Sequence, residues 1–399
     1  MRKWFLMIAV VALAAVALAA CGGGGSQNAS TGPIKVGGLF DLSGPTSDVG
    51  TPYSEGVRDY VAWLNANGGI DGRKIDLEWA DYAYKVDQAE QLYSQYVNDG
   101  VVAFMGWGTG DTEALRSKIA ADKIPYMSAS YSANLVKDIN KAPYNFLIGV
   151  TYSDQAIIAI QWAIQDWKAS GHDGMPKVAL IHHDSPFGES PVADAKAYAD
   201  SKGVAFMHLA MPKGATDYVA ELAQIQQFGA NYVIVHTVSS PAAVLIKDAK
   251  SQGLLGKIKF INMNWCADEI FLKLAGDAAE GVYGTIPFTP PSDPVPGHDA
   301  PAKWLKDHGS SLEAKGVHYV QGWWTMAVMA EGIKRAAAKG DVSGEAIKAA
   351  LETIKNFDTG GVTAPITFTP QSHRGSKALR IYEVKNGKWT RVTDYIEAP

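Results

Sequence analysis

Several short polar stretches carry the side chains that recognise small molecules, and each follows a run of apolar residues. Gly106-Trp107-Gly108-Thr109-Gly110-Asp111-Thr112 comes after the apolar run Val101–Met105 and opens a helical pattern at Asp111. Glycines let backbone N–H groups approach a ligand closely, and a helix N-terminus favours an anion such as a carboxylate. Thr109 adds a hydroxyl and Trp107 a flat apolar wall, while Asp111 reads as a helix cap. The stretch is not a nucleotide loop, because it lacks both Gly-Lys-Ser/Thr and Gly-x-Gly-x-x-Gly. Ser128-Ala129-Ser130-Tyr131-Ser132 offers small hydroxyls and an aromatic wall after the next apolar run. Phe40-Asp41-Leu42-Ser43-Gly44-Pro45 reads equally as a binding loop or a structural turn.

Three further stretches close apolar runs in the second half. In His182-His183-Asp184-Ser185-Pro186-Phe187-Gly188 the adjacent histidines point to opposite sides of a strand. They make a poor metal pair without third and fourth ligands, and Phe187 is the better ligand contact. Val235-His236-Thr237 and Asn262-Met263-Asn264-Trp265-Cys266 place polar groups beside an aromatic at strand ends. Cys266 reads as an inert buried residue. Enzyme signatures are missing: there is no Gly-x-Ser-x-Gly, His-Glu-x-x-His or Cys-x-x-Cys. No catalytic residue, cofactor or metal is expected.

These stretches need scaffolding, and the patterning supplies it. Apolar runs read as strands over Ile34–Phe40, Ile75–Ala80, Val101–Met105, Ile124–Ser128, Lys177–His182, Val204–Leu209, Tyr232–His236 and Ile258–Met263. Helices of 3.6-residue periodicity fall between them, as over Tyr53–Asn65, where Val57, Tyr60, Val61 and Leu64 share a face. Repeated strand–helix–strand units mean parallel sheets covered on both sides, an α/β fold. The run Tyr144–Val150 ends the first series and the rhythm restarts after a helix at Ser153–Trp167, so two sheets are expected. A second switch lies at Gly281–Thr285. The end reads as helices Val320–Ala338 and Gly344–Ile354 and short strands Ile366–Thr369, Leu379–Val384 and Lys388–Val392, with Asn386-Gly387 as a hairpin turn.

The chain has 399 residues, 47% of them hydrophobic, and a formal charge of −5, which gives no electrostatic reason to bind nucleic acid. Residues 1–21 read as an export signal: Arg2 and Lys3 precede the uncharged apolar run Trp4–Leu18. Leu18-Ala19-Ala20-Cys21-Gly22 resembles a bacterial lipobox, which makes Cys21 the lipidation site. The Gly- and Ser-rich residues 22–33 read as a flexible tether.

Three motifs together carry a resemblance: Ile34–Gly44 ending in Leu-Ser-Gly-Pro, the run from Asn65 through Gly68-Gly69-Ile70-Asp71-Gly72-Arg73, and Ala275-Gly276-Asp277-Ala278-Ala279-Glu280-Gly281-Val282. From about Ile34 to the C-terminus the chain resembles type I periplasmic binding proteins, in particular the branched-chain amino acid (Leu/Ile/Val) solute-binding group of ABC importers. The resemblance implies two Rossmann-like lobes joined by a three-crossing hinge, with crossings near Val150, Thr285 and Phe368. Lobe one would be residues 34–150 plus 285–367, and lobe two 151–284 plus 368–399. It implies a monomeric, lipid-anchored receptor outside the cell membrane that closes over a small solute and delivers it to permease and ATPase subunits. The alternative is a ligand-sensing receptor feeding a signalling partner, with no fused domain expected after residue 399.

By motif position Thr109 would grip a ligand carboxylate, helped by the Gly108 or Gly110 amides. Ser130 and Ser132, flanking Tyr131, would hold the carboxylate and an α-ammonium, and Trp107 would form a wall. Phe187 and either His236 or Thr237 would reach in from lobe two. The resemblance also implies an acid where Asn264 stands, beside Trp265 and Cys266. An amide does not neutralise an ammonium, and an unpaired buried charge costs several kcal/mol. An aromatic or other carboxylate, or an amide, is therefore a candidate solute, unless Asp268 supplies the charge.

Overall fold

The computed structural model describes residues 32–399. The expected signal 1–21, Cys21 and the tether as far as residue 31 lie outside the described residues. The first series runs Ile34–Phe40 (β1), Ser47–Ala66 (α1), Ile75–Asp81 (β2), Val86–Asn98 (α2), Ala103–Gly106 (β3), Thr109–Asp122 (α3), Tyr126–Ser128 (β4) and Asn145–Phe146 (β5). Its strands form one parallel sheet in the order β2-β1-β3-β4-β5. Every residue of β3 is buried, as a strand covered by helices on both faces requires.

After Tyr152–Ala169 (α4) the second series begins: Lys177–His183 (β6), Pro186–Glu189 (α5), Val192–Lys202 (α6), Ala205–Met211 (β7), Val219–Phe228 (α7), Tyr232–His236 (β8), Ser239–Ser251 (α8), Lys259–Asn262 (β9), Glu269–Ala275 (α9) and Tyr283–Ile286 (β10). Three helices come next, Asp299–Asp307 (α10), Leu312–Ala337 (α11) and Gly344–Leu351 (α12), before Ala378–Lys385 (β11), Lys388–Arg391 (β12) and Ile396–Glu397 (β13). The second sheet has the order β12-β11-β10-β9-β8-β6-β7, with β13 pairing on β11. Strands β6 to β10 are parallel, and the β11–β12 hairpin adds an antiparallel edge. Its turn is Asn386-Gly387, both at positive φ (53° and 70°), the conformation that makes Asn-Gly the favoured two-residue turn.

Three expected elements come out differently. The strand expected over Tyr144–Val150 contracts to β5, and no strand forms at Ile366–Thr369, where Ile366 makes a single bridge to Phe357. At both places the backbone pairs with another connecting segment: Leu147 donates to the His373 carbonyl (3.1 Å) and accepts from the Gly375 N–H (2.8 Å), while Thr367 donates to the Gly375 carbonyl (3.2 Å) and Phe368 to that of Ile354 (3.0 Å). Their hydrogen bonds are satisfied where the chain passes between the sheets, outside either ladder. The helix expected from Val320 begins earlier, and its first turn is broken at Gly316 (φ 77°, ψ −177°).

α11 packs on α1 in the most extensive helix–helix contact of the described residues. The approach is close because glycines face each other across it. A Cβ at Gly56 would lie 2.0 Å from the Tyr319 carbonyl oxygen, and one at Gly322 would lie 2.0 Å from that of Tyr53. Both obstacles are backbone, which cannot rotate away. Gly322→Ala is therefore expected to destabilise the protein by about 2–3 kcal/mol, the upper part of the overpacking range. The shift of a urea-unfolding midpoint at unchanged slope checks this.

Candidate functional site

Parallel strands all release their loops at one edge, where α/β proteins bind ligands. One cavity collects the loops that follow seven strands and the start of α4. It is lined by Thr46 after β1, Tyr84 after β2, Trp107, Gly108 and Thr109 after β3, Ala129 after β4, Tyr152 at the head of α4, Phe187 after β6, Val238 after β8 and Trp265 after β9. The free space enclosed is about 20 Å³, room for little more than one water molecule. Any larger solute needs the cavity to open.

On the first-sheet side the cavity is built by buried hydrogen bonds. Asp41 is fully buried and accepts from the Gly44 and Thr46 N–H groups (2.6 and 2.9 Å) and from the Thr46 hydroxyl (2.6 Å). Thr46 Oγ1 in turn accepts from the Trp107 indole N–H (2.9 Å). The Leu-Ser-Gly-Pro loop is thus a turn around a buried carboxylate, and through Thr46 it fixes the Trp107 ring. At Gly108 a Cβ would fall 2.2 Å from Asp111 Oδ1 and 2.5 Å from the Tyr82 hydroxyl, so no side chain fits there. Tyr82 donates to Asp111 Oδ1 (2.8 Å) and accepts from the Gly108 N–H (3.1 Å). Burial, only partly offset by the Tyr82 and backbone hydrogen bonds, pushes Asp111 up to about 7.

Thr109 Oγ1 lies 2.6 Å from Ser130 Oγ, and the Ser130 N–H donates to Ser128 Oγ (2.9 Å). Of the sequence-predicted residues, Trp107, Gly108, Thr109, Phe187 and Trp265 line the cavity, and Ser130 stands one hydrogen bond behind Thr109. Ser132 is turned away, its hydroxyl donating to Glu113 (2.7 Å). His236 backs the cavity: its Nε2–H donates to the Phe187 carbonyl (3.0 Å), and its ring lies 4.3 Å from Phe187 and 4.7 Å from Tyr152. Burial lowers His236 to about 3, so the ring is neutral. Thr237 is fully buried outside the lining. The Asn264 N–H donates to Gln155 Oε1 (3.2 Å), and its side chain is not part of the wall.

Trp265 carries the wall across from the second sheet. Its ring lies 4.8 Å from Trp107 and 6.2 Å from Tyr53, and it stacks on Tyr131 at 6.1 Å with the planes 7° apart. Its indole N–H donates to the Tyr152 hydroxyl (2.8 Å). The neighbouring Cys266 thiol donates to the Val235 carbonyl (3.3 Å), and burial raises its pKa, as suits an inert residue. Asp268 does not face the cavity. It is held by the Phe271 N–H (2.6 Å), by the Ser239 hydroxyl and by His318 Nε2 of α11 (2.7 Å), with both charged side chains about 1% exposed.

Thr46, Tyr84, Ala129, Tyr152 and Val238 complete the wall. Ala83 and Tyr84 sit consecutively at positive φ (51° and 58°), which is unusual for side chains of their kind and turns Tyr84 into the cavity. Their signal in the sequence was only positional, at or just beyond the carboxyl ends of strands.

The loops of two largely parallel sheets meeting over one cavity are the architecture of a solute-binding protein. The chain belongs to the periplasmic binding protein family, whose model matches residues 33–388. Its members are solute receptors rather than enzymes, exported to the periplasm, and so is this chain. A Leu/Ile/Val-binding protein homolog 2 from Brucella abortus is 27% identical over 75% of this chain and 76% of its own length. A branched chain amino acid ABC transporter structure from Thermus thermophilus, with bound valine, superposes with a TM-score of 0.85 at 28% identity, over 92% of this chain and 97% of its own. An ABC transporter substrate binding protein from Aeropyrum pernix gives a TM-score of 0.82 at 31% identity, over 92% and 96%.

The Asp268–His318 contact sets a pH dependence. Burial opposes a charge on His318, but the Asp268 carboxylate outweighs it and raises the imidazole pKa above its usual value of 6.5. The folded state then holds this proton more tightly than the unfolded chain does. The stability gained is fully present below about pH 6.5 and is lost as pH climbs through the folded pKa. His318→Gln is expected to cost about 3 kcal/mol at pH 6, a gap that narrows as the pH is raised above that point. Urea unfolding of both proteins across this range is the check; a gap independent of pH would show that His318 carries no charge.

Proposed function

We propose that this protein is the receptor of an ABC importer, capturing a small carboxylate or amide whose apolar part is compact or aromatic. The observation that supports this reading is the composition of the cavity. Thr109 at the start of α3 meets a negatively polarised group where the helix dipole favours it. Trp107, Tyr152, Phe187 and Trp265 enclose the remainder. Among the described residues no Asp or Glu belongs to the lining, and Asp268 is already held by His318, so a solute ammonium finds no counter-charge in the wall. That separates the proposed solute from valine, which the Thermus relative binds.

In this reading residues 34–150 plus 285–367 and residues 151–284 plus 368–399 act as lobes, hinged near Val150, Thr285 and Phe368. They part to admit the solute and close over it, and Trp265 leaves its place between Trp107 and Tyr131 as they open. Cys21 carries the lipid that tethers the receptor, which acts as a monomer beside its permease and ATPase subunits.

A thermal-shift screen of branched-chain amino acids, their 2-oxo acid counterparts, benzoates and simple amides tests the solute class. At 100 times Kd a true ligand adds about 2.7 kcal/mol of stability. Ammonium-free carboxylates or amides are expected to stabilise more than the amino acids; the reverse order would refute the proposed class. Thr109→Ala is expected to weaken the best carboxylate by about 1–3 kcal/mol, read by isothermal titration. Cys21→Ala is expected to free the protein from the membrane without altering that affinity, which fractionation and the same titration check.

A further inference from the structure

We propose that His182, His208 and Glu189 form a binding site for a divalent transition-metal ion of the zinc class, at the outer edge of the second sheet. Taken alone, His182 and His183 diverge, and His183 Nδ1 indeed turns to Ser185 Oγ (2.8 Å). The third ligand comes from elsewhere. β7 is the edge strand beside β6, and its register sets His208 opposite Leu180, one diagonal step from His182 on the same face. α5, immediately after β6, brings Glu189 over that face.

The distances suit an ion. His182 Nε2 lies 3.3 Å from His208 Nδ1 and 3.8 Å from Glu189 Oε1, and the three ligand atoms all fall within 4.8 Å of one another. Ligands at the zinc distances of about 2.0–2.1 Å in a tetrahedron stand about 3.4 Å apart, so only Glu189, an exposed and flexible side chain, has to move. The tautomer is prepared as well. His182 Nδ1 lies 3.2 Å from the His183 carbonyl, an acceptor only, so that nitrogen carries the proton and Nε2 presents its lone pair to the other two ligands.

His182 is fully buried while His208 and Glu189 are exposed. The site therefore has a fixed floor, an open entrance and a fourth position for water. Two imidazoles and one carboxylate match the ligand set of zinc and of its neighbours in the first transition row. An ion held there ties α5, whose Phe187 lines the solute cavity, to the edge strand.

The test uses the full-length protein and Zn²⁺ titrated against a chromophoric chelator, with Co²⁺ as a spectroscopic probe. One Zn²⁺ per chain is expected, with affinity at least tenfold lower in both His208→Ala and Glu189→Gln. Co²⁺ is expected to give the intense visible bands of a four-coordinate site in the wild type and in neither variant. Both substituted side chains are exposed, so circular dichroism should show unchanged folding. Failure of the wild type to bind Zn²⁺, or equal affinity in all three proteins, would overturn the proposal. Neither outcome bears on the solute cavity, which the solute screen reads separately.

Discussion

Strands that run parallel release the chain at one edge, and the cavity of this protein exists because two such edges are brought together. Seven loops converge on it from strands whose interiors are almost wholly apolar. The loops are free to be polar, tight or strained because the strands beneath them are not. The consecutive left-handed residues Ala83 and Tyr84 are tolerated there since β2 and α2 hold both ends of the turn. The antiparallel strands of the second sheet, β11, β12 and β13, extend that sheet beyond β10 and contribute no residue to the wall.

The two sheets are joined across this region by an uneven mixture of contacts. Aromatic rings gather at the centre, where Trp265 meets Trp107, Tyr53 and Tyr131. Polar contacts surround them. Asp48 of α1 accepts from the N–H and hydroxyl of Ser240 (2.9 and 2.7 Å), Glu269 accepts from the Val317 N–H (2.8 Å), and Asp268 meets His318. Burial pushes Glu269 up to about 7. A buried ion pair adds little net stability over apolar packing, yet removing one partner is costly. Contacts of this kind favour one registration of the two sheets over slightly shifted ones.

Much of the scaffold was legible in the residues. β1 and β8 occupy the limits their apolar runs suggest, Ile34–Phe40 and Tyr232–His236, because strands buried on both faces leave an unbroken signature. The connecting segments were not legible. Tyr144–Val150 looks like a strand since it is buried like one, but its backbone partners lie far along the chain, at His373 and Gly375 in another connection. In the cavity, the Gly-rich and Ser-rich loops announced themselves through composition. Tyr84, Tyr152 and Val238 did not, because an isolated tyrosine or valine carries no signal until the fold places it. Asn264 stood in a suggestive position and packs beside the cavity instead. His182 and His208 are 26 residues apart, and only the strand register makes them neighbours.

The return of the chain has a consequence for how the protein is made. β10 leaves the second sheet at Ile286, and its partner β11 does not begin until Ala378. Between them the polypeptide builds α10, α11 and α12, of which α11 packs against α1, formed near the very beginning. On a ribosome that delivers residues in order, at roughly 5–20 per second, the flank of β10 stays unpaired for several seconds after its own emergence. Residues from Ala378 onward then close it. Folding in chain order thus passes through a stage with an open sheet edge, and a chain cut short before β11 would keep that edge permanently.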